Sequence, residues 1–271
     1  MLMYGIYFFF GWSVTHFLIP FFYDLLLKAN CVKENYRGES IPVSIGIIFV
    51  PVLTMLMLAS ILIGPMKDMI EVLTFGIGGL SMGFAGLLDD LIGNRDTTGL
   101  KGHITSLFRR QLTTGGFKAV FGGLVALLIS IAYSKDLYNI VVNTMLIALF
   151  TNYANLLDLR PGRSIKGFLF VGILLLVLTG SQSLQILIIG MIGSVIAYFP
   201  YDVRAKSMMG DAGSNILGVT LGITSISLPM YYRMILLAFL IALHIYTEKY
   251  SLTKTIEKNK ILKFIDELGR L

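Results

Sequence analysis

Carboxylates are the residues in this chain that could do chemistry, because so few charged groups accompany them in so apolar a sequence. Asp89 and Asp90 close the stretch Gly86-Leu87-Leu88-Asp89-Asp90, Asp158 follows Asn152-Tyr153-Ala154-Asn155-Leu156-Leu157, and Asp211 sits in Met209-Gly210-Asp211-Ala212-Gly213-Ser214. A carboxylate beside hydrocarbon is costly and is kept mostly for function or pairing. Neighbouring Asp89 and Asp90 repel each other unless a cation or base lies close. Arg37, Lys101, Arg160, Arg163 and Lys206 are interleaved with these acids along the chain. Such a mixture suits a phosphate ester handled with a divalent metal: carboxylate and amide oxygens hold Mg²⁺, while Arg and Lys neutralise phosphoryl oxygens. Gly210 and Gly213 allow the backbone to approach a ligand, and Ser214 lies near the start of the next helix, an end that favours anions.

The elements that position these residues are membrane helices. The chain has 271 residues, of which 55% are hydrophobic and 14% charged, against roughly 25% charged in a typical soluble protein. Its mean hydropathy is +0.78. A crossing helix needs about 20 mostly apolar residues. Uncharged runs extend from Met1 to Tyr23, Ile41 to Gly64, Val72 to Leu88, Ala119 to Ser134, Leu137 to Leu157, Gly167 to Tyr201, Ala212 to Tyr232 and Met234 to Thr247. The sixth run is too long for one helix, and Gly180-Ser181-Gln182-Ser183 inside it reads as a turn. An all-α integral membrane protein of nine spans is the expectation, with Gly76, Gly78, Gly79, Gly83 and Gly86 letting helices pack closely.

Charge sets the orientation. Of 22 Lys and Arg residues, only Lys67, Lys135 and Arg233 fall outside if the first helix runs inward. The positive-inside rule then predicts an N-out, C-in chain with all the candidate acids facing the cytoplasm. The net charge of +6 is thus a one-sided membrane asymmetry, not a nucleic-acid surface. No cleavable signal peptide is expected from the first run. A single cysteine, Cys31, excludes a disulfide framework and a cysteine-based metal cluster. The expected division is a transmembrane unit over 1–250 and a basic amphipathic tail over 251–271. In that tail, Ile256, Ile261, Leu262, Ile265 and Leu268 share one side of a helix, and the lysines suit an anionic leaflet.

The ordered motifs resemble those of the polyprenyl-phosphate N-acetylhexosamine-1-phosphate transferases. Arg37-Gly38-Glu39-Ser40-Ile41-Pro42 is similar to that family's R-G-x-x-I-P loop. The Asp89-Asp90, Asn152-to-Asp158 and Met209-to-Ser214 stretches are similar to its Asp-Asp, N-x-x-N-L-x-D and M-G-D-x-G-S motifs. The resemblance implies attack by a polyprenyl phosphate oxygen on the β-phosphorus of a UDP-linked amino sugar, giving a lipid diphosphate-sugar and UMP. It also implies Mg²⁺, with Mn²⁺ as a substitute, held by Asp211 and Asn155. Asp89 would be the base or organiser for the lipid phosphate, with Asp90 beside it. Substrate contacts would fall to Arg37, Lys101, Asn152, Asp158, Arg160, Arg163, Lys206, Gly210 and Ser214. The implied setting is the bacterial inner membrane and envelope glycan synthesis, with undecaprenyl phosphate as lipid, and relatives often form homodimers.

Two departures from the pattern stand out. Leu159-Arg160-Pro161-Gly162-Arg163 replaces a G-x-D-G sequence, and only His244 lies near the position of the family's histidine-rich loop. His103 is a further phosphate-contact candidate or a solvated loop residue. Besides a transferase, the residues leave open a paralogue that binds or senses polyprenyl phosphate without turnover, and a transporter.

Overall fold

The computed structural model describes residues 1–63, 68–93 and 113–270. Lys101 and His103, named above, lie outside the described residues. Helix α1 spans Leu2–Lys28 and leads into a short antiparallel hairpin, β1 Val32–Glu34 and β2 Ser40–Pro42, in which Lys33 pairs with Ile41. A 3-10 turn, Ile45–Ile48, then opens α2, Phe49–Ile63. The bundle continues with α3 Met69–Ile92, α4 Thr114–Tyr133, α5 Leu137–Leu157, α6 Arg163–Leu178, α7 Gln182–Val203, α8 Gly210–Ser225 and α9 Met230–Lys249. Two short helices, α10 Leu252–Lys258 and α11 Lys260–Glu267, complete the described chain.

Seven segments among the described residues are long and apolar enough to cross a membrane: α1, Ile45–Ile63, α3, α4, α5, α7 and α9. Helices α6 and α8 have 16 residues each and are shorter than a full span. Side-chain caps mark the starts of α4, α5 and α7. Thr113 accepts from the Gly116 N–H at 3.0 Å, Asp136 from Asn139 at 3.0 Å and Ser181 from Leu184 at 3.2 Å, each satisfying an amide that has no partner within the helix. The turn expected around Gly180–Ser183 is present between α6 and α7. The run from Ala212 to Tyr232 is instead broken earlier than its hydropathy suggested. Helix α8 stops at Ser225 and α9 starts after Pro229, because proline has no N–H and disfavours helical geometry in the residue before it.

Packing explains why α8 can be short. Every residue from Ala212 to Ser225 is buried, with α3 and α5 as its principal neighbours. Its Thr220, Thr224 and Ser225 hydroxyls bond back to the carbonyls of Leu217, Thr220 and Gly222, so a polar helix leaves these groups satisfied in an apolar interior. At the α3 contact a side chain on Gly86 would run into the Asp211 backbone, and glycine is therefore what brings the two helix ends together. Around this interior, Phe9, Phe17, Leu58, Leu62, Phe84, Leu124, Phe170, Val177 and Phe239 are exposed. A continuous apolar exterior of this kind fits lipid contact.

Candidate active site

The site is assembled where the last turn of α3 meets the first turns of α4 and α8. Asp89 and Asp90 lie in that last turn and, being adjacent on a helix, point in different directions. Asp89 accepts a hydrogen bond from the Lys118 ammonium at 2.8 Å, and the same ammonium bonds to Asp211. The three side chains retain 20%, 17% and 25% exposure for Asp89, Lys118 and Asp211, so this cluster is sheltered yet reachable.

Asp90 is turned toward protein. Its Oδ1 accepts from the Asp211 N–H at 3.0 Å, and its Oδ2 accepts from Ala212 N–H at 3.1 Å and Ser44 Oγ at 2.8 Å. A carboxylate at the start of α8 satisfies amides that the helix leaves unpaired and complements its dipole. Gly210 makes the entry possible: its φ is +74°, and a side chain there would strike the Asp90 carboxylate. Ser44 is itself in the left-handed region at φ 64°. It is held by the bonds that join the hairpin exit to the α7–α8 connection, Met208 N–H to Pro42 O at 2.8 Å and Ile45 N–H to Met208 O at 3.1 Å. The first loop and the Met209-to-Ser214 stretch, distant in sequence, are thereby one unit.

The last turn of α5 completes the cluster. Asn155 Oδ1 accepts from Ser214 Oγ at 3.3 Å. Asp158, just past the helix, is met by the Gly210 N–H. Burial, and then the nearby carboxylates of Asp202, Asp211 and Asp90, push the Asp158 carboxyl well above the usual carboxylate range, with the Gly210 bond acting the other way. A cavity of about 260 Å³ runs beside these groups, bounded by Asp90, Asp158, Asp202 and Asp211 and by Lys33, Tyr36 and Arg160.

Other candidates are placed differently. Arg37 is exposed at the hairpin turn, with its Nε donating to Tyr36 Oη at 3.0 Å. Lys206 and Asn152 are exposed, outside the residues that bound the cavity. Arg160 borders the cavity and lies 3.9 Å from Glu257. Arg163 is buried and faces the tail, donating to both oxygens of Asp266 at 2.7 and 2.8 Å. His244 is tied within α9, its Nδ1 lying 2.7 Å from the Leu240 carbonyl.

Lys118, Ser44 and Asp202 belong to this region without having been singled out by motif. Asp202 is buried at the end of α7 and accepts from the Gly162 N–H at 2.7 Å. The available signal for Lys118 was its position: a lone charge one turn into an otherwise uncharged helix, beside Thr114-Gly115-Gly116-Phe117.

Among the described residues no three His, Cys, Asp or Glu side chains form a ready-made metal cage. The donor chemistry nevertheless fits Mg²⁺, which is commonly held by one or two carboxylates together with substrate phosphates and water. Asp211 and Asn155 offer hard oxygen donors, and the acids around Asp158 outnumber the described cations that border the cavity. The family model described as glycosyl transferase family 4 matches residues 72–229, more than half of the chain. No curated protein matches it.

Proposed function

The chain belongs to glycosyl transferase family 4, and from that premise we propose that it transfers a sugar-1-phosphate from a UDP-N-acetylhexosamine to undecaprenyl phosphate in envelope glycan synthesis. The family implies a phospho-sugar transferase acting on a polyprenyl phosphate and is generally metal-dependent. What carries the finer reading is the Asp89–Lys118–Asp211 cluster beside a cavity bordered by four aspartates, at the bundle end to which the hairpin and the α7–α8 connection are tied.

In the proposed reaction an oxygen of the lipid phosphate attacks the β-phosphorus of the donor. The bond to the bridging oxygen breaks, and UMP leaves with its electron pair. A phosphate monoester is already largely ionised at neutral pH, its second pKa being about 6. Asp89 therefore acts chiefly as an organiser, setting the Lys118 ammonium where phosphoryl charge collects. Bound Mg²⁺, held by Asp211 and Asn155, would supply charge neutralisation on the donor pyrophosphate. Asp158 and Arg160 line the nucleotide side, and Asp90 keeps the start of α8 in register with them.

The proposed setting is the cytoplasmic face of the inner membrane, with nine spans, N-out and C-in. Helix α8 need not cross the hydrocarbon unaided, since neighbouring helices cover it, whereas α6 is buried on one side and turns Phe170, Ile173 and Val177 outward. A hydrophobic groove between helices would take the isoprenoid.

The test is purified protein with undecaprenyl phosphate, Mg²⁺ and a panel of UDP-amino sugars, scoring UMP and lipid product by mass spectrometry. Asp211→Asn, which removes one charge at constant volume, should abolish transfer and leave the chain folded, as its thermal unfolding in detergent would check. Wild-type-like turnover in that variant rejects the metal assignment. Absence of product from every donor, with lipid still bound, would instead favour the non-catalytic paralogue, a reading for which Pro161 in place of a family carboxylate speaks.

A further inference from the structure

The departure at Leu159–Arg163 has a partner elsewhere in the chain. Arg163 is 5% exposed, and its guanidinium grips Asp266 through Nε and Nη2 while Nη1 donates to Thr253 Oγ1 at 3.0 Å. Arg270 donates to the two Asp266 oxygens at 3.0 Å each and, through Nε, to the Pro161 carbonyl at 2.8 Å. Lys166 adds bonds to the carbonyls of Ile265 and Asp266 at 2.9 and 2.7 Å. A paired carboxylate between two guanidiniums is a directional joint, each contact being charge-assisted.

The joint holds α11 in an unusual attitude. Asp266 is 9% exposed, whereas Ile261, Phe264 and Ile265 of the same helix face away from the protein. Apolar packing is therefore not what attaches this helix to the bundle; the ionic cluster is. On the other side of the joint, Pro161 and Gly162 belong to the connection that carries Asp158 and Arg160 along the cavity. Gly162 has φ +76° and is fixed from the bundle by Asp202. The connection is thus held from two directions, by Asp202 inside and by the tail outside.

We propose that the tail is a brace for the Asp158–Gly162 connection and that Asp266 is a positioning residue for the nucleotide-sugar side of the site. This rests on the transfer reaction proposed above for its kinetic consequence, but not for its structural one. Asp266 does not reach the cavity; it acts through Arg163 and Arg270. Loosening it should misplace Asp158 and Arg160 and weaken donor binding, while the Asp89–Lys118–Asp211 cluster, built on α3, α4 and α8, stays in place.

The experiment compares full-length wild type, Asp266→Asn, Asp266→Glu and Arg270→Gln in the same detergent or nanodisc. Hydrogen–deuterium exchange is followed for peptides covering 158–166, alongside donor KM and kcat. Asp266→Asn should raise exchange in that segment and raise donor KM roughly tenfold, a loss of about 1.4 kcal/mol of donor binding, with kcat within about twofold of the parent. Asp266→Glu, which keeps the charge, should recover most of both effects. Arg270→Gln removes the Pro161 contact without orphaning Arg163 and keeps the test open should Asp266→Asn fold poorly; it should raise the same exchange to a smaller extent. Unchanged exchange across 158–166 in variants that fold overturns the brace. Raised exchange with unchanged donor KM overturns the positioning role. A wild-type chain inactive with every donor rejects the transferase reading alone, since exchange still decides the brace.

Discussion

Adjacent acids in one helical turn can have unrelated work, and Asp89 and Asp90 are a case that direction decides. Asp89 faces an ammonium it shares with Asp211, while Asp90 is occupied by two backbone amides and a serine hydroxyl. Opposite mutational signatures follow. Asp90→Asn would set an amide donor against N–H donors of α8 and should lower stability by about 1–3 kcal/mol, seen as a reduced Tm in detergent. Lys118→Ala leaves Asp89 and Asp211 without their shared cation, but these keep 20% and 25% exposure to water. It should therefore lower Tm less than Asp90→Asn does while cutting transfer at least about a hundredfold, the usual effect of removing one group that stabilises transition-state charge. Equal losses of stability in both variants would contradict this division. The acids themselves were legible as a set, because charges are so scarce in this sequence that each one at a helix end needs a reason. Their division of labour was not, since it depends on side-chain direction, and Lys118 was hidden because a basic residue near a helix end serves equally well as an orientation signal.

At the scale of elements, apolar spacing pointed to one tail helix with Ile256, Ile261, Leu262, Ile265 and Leu268 on a shared side, whereas the structure has two, α10 and α11, divided at Asn259, with Ile256 buried and the other four exposed. Burial ordinarily places the apolar stripe inward; here Arg163 and Arg270 claim the polar side. Burial alone would raise the Asp266 carboxyl, yet hydrogen bonds from Arg163 and Arg270 hold it below the usual carboxylate range, so the joint keeps its charge. The outward residues Ile261, Leu262, Phe264, Ile265 and Leu268 are left for another apolar phase, with Lys254, Lys258, Lys260 and Lys263 exposed nearby. An anionic leaflet satisfies both needs. Phe264 is 68% exposed and Trp12 is the single tryptophan, which makes a direct measurement available. Phe264→Trp in a Trp12→Phe background, reconstituted in vesicles containing anionic lipid, should emit at short wavelength and be quenched by lipids brominated near the headgroup. Water-like emission with no lipid quenching would remove the tail from the interface. The α8–α9 break at Pro229 shows the complementary limit of hydropathy: an uncharged run reports burial, but a backbone constraint decides where it is cut.

For the molecule as a whole, a reaction between a lipid phosphate and a nucleotide sugar requires the site to open on the compartment that holds the nucleotide, so orientation is part of the mechanism. The long-range contacts put the hairpin, the α4 start, the α5–α6 connection and the α8 start at one end of the bundle. The Lys and Arg asymmetry was readable from sequence because loop charge needs no tertiary information. The placing of the short helix α8 was not, because it is set by the partners that bury it from Ala212 to Ser225. Cys31, the single native cysteine, follows α1 at the site end, whereas exposed Lys135 lies between α4 and α5 at the other. With a membrane-impermeant maleimide, Cys31 should label in inverted vesicles and stay unlabelled in intact spheroplasts. Lys135→Cys in a Cys31→Ser background should do the reverse. If Cys31 labels from outside, the acids face a compartment without nucleotide sugars, and the proposed transfer has no donor on its side of the membrane.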